Sequence, residues 1–205
     1  MSGWRNLPGA EWRRLLSGAG VGAPLAEAVA SYLLLLARWE GAVDLVGRVD
    51  AEGLLREHVL ESLAGAALLG DTGRLLDVGS GNGFPAVPLL LARRGVRGVL
   101  LEPRERRWAF LREAVRELGL DAEVRRERVA AHASGGYDHA TVRAVGAPTW
   151  QGEAPRLLRC GGTLLWWTTS AAADALAMAG MTRVLTSPLP APERGVIAVW
   201  RRCST

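Results

Sequence analysis

The residues best suited to chemistry lie in one short run, Asp77-Val-Gly79-Ser-Gly81-Asn-Gly83. The run leaves an apolar stretch that ends at Val78 and enters a second apolar stretch opened by Phe84-Pro85. Glycines at such a strand-to-helix turn allow a tight bend and let a ligand come close to the backbone. Glu102 follows Gly83 by 19 residues, at the end of the next apolar run. A carboxylate there can accept hydrogen bonds from both hydroxyls of a ribose. Together these features predict a nucleoside-containing cofactor. A pyrophosphate usually sits on a G-x-G-x-x-G turn at a helix N-terminus. Here the spacing is G-x-G-x-G, and an acid at position 77 would repel a pyrophosphate. The same acid suits a ligand with an ammonium and a sulfonium, which S-adenosylmethionine carries. The pattern therefore favours a class I methyltransferase over a nicotinamide oxidoreductase.

These residues need elements to hold them. Residues 74–78, 98–102, 121–126, 137–143 and 162–168 read as strands, and the stretches between them read as helices at 85–94, 104–118 and 148–159. A short helix over 170–178 and a hairpin of 182–187 with 195–201 close the chain. Strands alternating with helices predict an α/β fold with a mostly parallel sheet. The first seventy residues lack this alternation. They read as helices over 8–17, from Pro24 to about residue 40, and over 51–69 with Asp50 as cap. The expected organisation is a helical N-terminal segment, residues 1–70, packed on a Rossmann-like domain, residues 71–205.

Composition narrows the chemistry further. All 25 basic residues are arginine, so a Schiff-base lysine and a P-loop lysine are both excluded. Cys160 and Cys203 are too few and too far apart for a disulfide scaffold or a zinc site, and no metal is expected. No apolar run reaches the roughly 18–20 residues of a membrane span. The N-terminus lacks a signal peptide pattern. A cytoplasmic protein with no membrane partner is expected, and a monomer. The net charge of +4 is unevenly placed, since residues 93–128 hold eleven arginines against seven acids. Such a stretch suits a polyanionic partner. On charge alone, a solvated helix with internal ion pairs is the default reading.

The run Leu76-Asp-Val-Gly-Ser-Gly-Asn-Gly-Phe-Pro-Ala-Val-Pro88 resembles the signature of the glucose-inhibited division protein B family. These are the bacterial 16S rRNA guanine-N7 methyltransferases. Residues 32–39, the Glu57-His-Val-Leu-Glu-Ser-Leu63 run and Val142-Arg-Ala144 resemble three more family stretches in order and spacing. The resemblance spans about residues 25–201. It implies a class I S-adenosylmethionine-dependent methyltransferase that acts on a guanine of the guanine-527 type, with 16S rRNA or the small ribosomal subunit as partner. It further implies that Gly79 and Phe84 contact the cofactor, that Val129 and Ala130 lie beside the adenine, and that Glu102 binds the ribose. Arg143 is implied as a binding residue, and its place at the end of the fourth strand makes it the candidate catalytic residue, in a positioning role. The family's Asn and Thr in its N-L-T turn are Asp44 and Val46 here, the arginine before His58 is Glu57, the acid after Val129 is Ala130, and a lysine at the end of the fifth strand is Thr168. Arginines such as Arg104, Arg106 and Arg107 are the candidates for displaced RNA contacts.

What is missing also informs the mechanism. Neither cysteine is placed for a cytosine-C5 reaction. The N-P-P-Y run of adenine amino-methyltransferases is replaced by Arg143-Ala-Val-Gly-Ala-Pro. Guanine N7 is nucleophilic without losing a proton, so its methylation calls for alignment and no general base. The alternatives are a methyltransferase for a small molecule or protein, and a cofactor-binding ribosome-associated protein without turnover.

Overall fold

The computed structural model describes residues 3–191 and 194–203. Strands β1 (Thr72–Val78), β2 (Gly95–Leu101), β3 (Ala122–Arg125), β4 (Tyr137–Arg143), β5 (Leu158–Thr168), β6 (Met181–Pro188) and β7 (Val196–Arg202) form one sheet in the order β3-β2-β1-β4-β5-β7-β6. The first five run parallel, and β7 lies antiparallel between β5 and β6. Strand order reverses at β1, which has β2 on one side and β4 on the other. In open α/β sheets a crevice opens at the carboxyl ends of the two strands that flank such a reversal. Gly79 and Arg143 sit at those two ends.

The pleat sends alternate residues to opposite faces. Leu75 joins a core made with the N-terminal helices, whereas Leu76 and Val78 join a second core on the other face. Trp166 and Trp167 are divided in the same way. Helices α1 (Gly9–Gly18) and α2 (Ala23–Glu40) bury Trp12, Leu16, Tyr32 and Leu36 in the first core, together with α5 (Ala86–Ala92) and α6 (Glu105–Glu117). The N-terminal helices therefore share a core with the sheet. The second core is covered by α7 (Ala154–Leu157) and α8 (Ser170–Ala175), with Trp150, Trp166 and Trp200 packed edge to face or tilted.

Asp50 caps as expected, its carboxylate accepting from the Gly53 amide at 2.8 Å, and Pro24 lies in the first turn of α2. Residues 51–68 differ from the single α-helix expected. They run as α3 (Ala51–Gly53), a π-helical stretch Leu54–Leu60, α4 (Glu61–Ala64) and a 3-10 turn Gly65–Leu68. Gly65 is required because a Cβ there would lie 2.6 Å from the Trp167 ring. The helix expected over 148–159 is also corrected. A 3-10 turn Ala147–Thr149 and the single turn of α7 replace it, and β5 begins at Leu158. Pro148, Gly152 and Pro155 break the helical run. Pairing of Leu158 with Tyr137 draws the next residues into the sheet.

Candidate active site

Three glycines of the turn after β1 hold positive φ angles: Gly79 at 71°, Gly81 at 55° and Gly83 at 91°. Their reasons differ. A Cβ on Gly79 would lie 2.6 Å from Val145, and one on Gly83 would lie 2.8 Å from both the Tyr32 hydroxyl and Val87. Gly83 is thus fixed by close packing under α2. A Cβ on Gly81 would approach Arg107 and Glu102, which face the crevice. The turn is held from below and above. The Tyr32 hydroxyl donates to the Asn82 carbonyl, and the Asn82 side chain donates to the Leu45 carbonyl at 2.9 Å. Glu40 accepts from the amides of Leu45 and Val46, and Arg107 donates to the Asp44 carbonyl. This connection over residues 44–46 contacts the glycine turn through its backbone. The Asp44 and Val46 side chains are therefore not what holds it there.

Glu102, 4% exposed, closes the other wall. One carboxylate oxygen accepts from the Gly81 amide at 3.0 Å and the other from the Arg104 amide at 2.7 Å. Each oxygen keeps a further lone pair for a ligand. Asp77 lies beneath the turn, on the side of the sheet that faces α2. One of its oxygens accepts from Thr141 at 2.6 Å, and the other has no hydrogen-bond partner among the described residues. Burial pushes its carboxyl up to about 6, against the lowering effect of the Thr141 bond. A buried, unpartnered carboxylate oxygen under a glycine cradle fits a ligand that carries an amino group.

Two cavities share the turn. One, of about 340 Å³, runs from Gly79 and Glu102 past Arg104 and Arg107 to Glu127, Arg128 and Val129, with Gly146 and Thr149 opposite. The other, of about 220 Å³, is lined by Leu45, His58, Phe84, Asn82, Arg107, Arg143 and Ala144. Gly79, Arg107 and Ala144 belong to both. Of the residues singled out in the sequence, Gly79, Gly81, Phe84, Glu102, Val129 and Arg143 line this crevice. Asp77 and Gly83 lie behind it. Ala130 is exposed in the 3-10 turn Val129–Ala131, outside the lining.

Arg143 donates to the Glu61 carboxylate at 2.6 Å, to the Glu57 carbonyl and to Ser62. Glu61 is buried and also pairs with Arg194 at 2.8 Å. His58 stands beside the Phe84 ring at 5.2 Å between centroids. Burial, and then the Arg143 and Arg194 charges, push its imidazolium down to about 4, so the ring is neutral at pH 7. Ala144 holds a φ of 56°, which is uncommon for a residue with a side chain. Sequence reasoning gave no sign of Glu127 as a lining residue, and it met Asn82, Ala144 and Arg107 within motifs or as RNA contacts without assigning them to this lining. For His58 the motif context was the available signal.

The basic stretch divides into two groups. Arg97, Arg116, Arg125 and Arg126 form ion pairs with nearby acids, as a solvated helix and strand would. Arg104, Arg106, Arg107 and Arg128 pair with no acid among the described residues. Arg104, Arg106 and Arg107 line a broad cavity of about 810 Å³ together with half-buried Trp39, next to the crevice. No group of acids, histidines and cysteines among the described residues could hold a metal ion. No helix among them is long and apolar enough to cross a membrane.

A family pattern described as rRNA small subunit methyltransferase G matches residues 25–180. The ribosomal RNA small subunit methyltransferase G of Stenotrophomonas maltophilia is 39% identical over 155 residues, covering 73% of this chain and 72% of that protein. The protein of the same name from Alkalilimnicola ehrlichii is 40% identical over 144 residues, covering 68% and 64%. Among solved structures, a Burkholderia thailandensis 1,6-didemethyltoxoflavin-N1-methyltransferase, solved with S-adenosylhomocysteine, superposes with a TM-score of 0.57 at 18% identity. That match covers 89% of this chain and 92% of the other, and it shows the class I methyltransferase fold.

Proposed function

The chain belongs to the rRNA small subunit methyltransferase G family, and from that membership we propose that it methylates N7 of a guanine in 16S rRNA, using S-adenosylmethionine. The family resemblance is what supports a nucleotide of the guanine-527 type. When bound, S-adenosylmethionine supplies an electrophilic methyl group on a sulfonium. In this reading Gly79 and Gly81 give the cofactor close backbone approach, Glu102 accepts its ribose hydroxyls, and Asp77, behind the turn and outside the cavity lining, contributes a buried acidic group that suits its amino group. Phe84 and Val129 supply apolar walls. Arg143 positions the guanine from the smaller cavity.

The lining of that smaller cavity carries the reading. It presents two arginines and no carboxylate, and its imidazole, pushed down to about 4, is a weak base. A reaction that must strip a proton from its nucleophile needs a base near the reacting atom. Guanine N7 needs none, and its O6 edge suits an arginine donor. Broad arginine-rich surface with Trp39 beside the crevice supports an RNA substrate, since phosphates take the arginines and an unstacked base takes the indole face. The test is mass mapping of methylated guanines in rRNA from cells with and without this gene. Loss of one N7-methylguanine is expected, and an unchanged inventory removes the rRNA assignment.

Arg106 allows a cleaner test of RNA contact than its neighbours, because Arg104 and Arg107 also line the cofactor cavity. Arg106→Gln is expected to reduce the slope of log affinity against log salt by about 0.7–0.9 per lost phosphate contact. Cofactor affinity should stay unchanged. Filter binding of small-subunit RNA across a salt series reads this. An unaltered slope returns Arg106 to the solvated face.

A further inference from the structure

We propose that Glu127 is the residue that recognises the adenine of the cofactor, by accepting a hydrogen bond from its exocyclic amino group. The inference rests on the larger cavity being the adenosine site. Gly79, Glu102 and Glu127 follow β1, β2 and β3, which lie side by side in that order, so with the ribose proposed at Glu102 the base lies toward Glu127, Arg128 and Val129. An exocyclic amino group is a donor and needs an acceptor. Glu102 and Glu127 are the two carboxylates in the lining. Ala130, which the family resemblance placed beside the adenine, has no acceptor on its side chain and stands outside the lining.

Glu127 is prepared for this task. One carboxylate oxygen accepts from Nδ1 of His132 at 2.6 Å. The carboxylate is acceptor-only when ionised, so that ring nitrogen carries the hydrogen. The other ring nitrogen of His132, 2.8 Å from the Tyr137 hydroxyl, then accepts from it. His132 is 1% exposed, and Tyr137 is packed in the second core. Arg156 clamps the same turn, donating to the carbonyls of His132 at 2.7 Å and Val129 at 3.0 Å. The nearest cation, Arg125, stands 4.0 Å from the oxygen already bound to His132. The second carboxylate oxygen has no hydrogen-bond partner among the described residues. A buried relay that fixes one oxygen and leaves the other open orients an acceptor before the ligand arrives.

Calorimetry with two probes tests this. S-adenosylhomocysteine carries the amino group, and S-inosylhomocysteine carries a keto oxygen in its place. The wild type is expected to prefer the adenosyl compound by about tenfold or more, because the keto oxygen would face a carboxylate. Glu127→Ala should weaken adenosyl binding about tenfold and bring the preference close to one. Glu127→Gln keeps the size of the side chain and can turn an amide donor to the keto oxygen, so it should erase or reverse the preference. A preference that survives both substitutions overturns the assignment of Glu127 alone. A wild type that binds neither compound overturns the adenosine site as well.

Discussion

Glu102→Ala is expected to weaken S-adenosylmethionine binding roughly 10–150-fold, because a hydrogen bond to a charged group contributes about 1.5–3 kcal/mol. The carboxylate has two jobs. It already ties the Gly81 amide at 3.0 Å and the Arg104 amide at 2.7 Å, which fixes the glycine turn against the start of α6. Its remaining lone pairs are those proposed for the ribose. Alanine removes both, leaving two inward-facing amides without acceptors and a looser cradle. Glu102→Gln separates the jobs, since one amide oxygen remains to accept, and it should fall between wild type and alanine. Calorimetry on the purified variants measures the affinities, and thermal unfolding without ligand measures the loosening. Affinity unchanged in the alanine variant would remove Glu102 from the ribose.

Arg143→Lys should lower methyl transfer more than tenfold while most of the cofactor affinity remains. The guanidinium reaches three groups at once: the Glu61 carboxylate, the Glu57 carbonyl and Ser62. A lysine ammonium keeps the charge but is a point donor, and it cannot span a planar fork of this kind. Glu61 is not abandoned by the substitution, because Arg194 still pairs with it at 2.8 Å. The fold should therefore survive, whereas Arg143→Ala would leave Glu61 with Arg194 and remove the donors to the Glu57 carbonyl and Ser62 as well. Single-turnover transfer to small-subunit particles, set beside separately measured cofactor affinity, reads the effect. Near-wild-type transfer by the lysine variant would leave Arg143 as an ion-pair residue.

The glycine turn, Glu102, the parallel strands, the cap at Asp50 and the helix start at Pro24 were legible because each is a local signal. Apolar runs end at turn residues, and the acid follows at a fixed interval. What escaped the sequence depends on distant partners. The extent of β5 is set by Tyr137, and the geometry around Arg143 by Glu61, 82 residues away. Gly83 was assigned to the ligand by its spacing, yet the atoms it spares belong to Tyr32 and Val87. Glu127 looked like one more charge in a mixed run. Nothing in its neighbourhood reveals that a buried histidine would aim it. The 1–70 segment stood out because its periodicity differs, and its apolar residues share a core with Leu75 and Trp167.

The position of β7 bears on how the chain is made. It is the last of the described strands in sequence, yet it lies inside the sheet, paired with both β5 and β6. A chain emerging from the ribosome can complete β1 to β5 early, since each parallel strand finds a neighbour already synthesised. β5 then presents an open edge that includes Trp166 and Trp167, and β6 has nothing to pair with, until Val196–Arg202 arrives. Unpaired edges of this kind recruit other chains. The nascent protein thus carries this adhesive edge until β7 is made, and a break in β7 would leave it open for the life of the molecule.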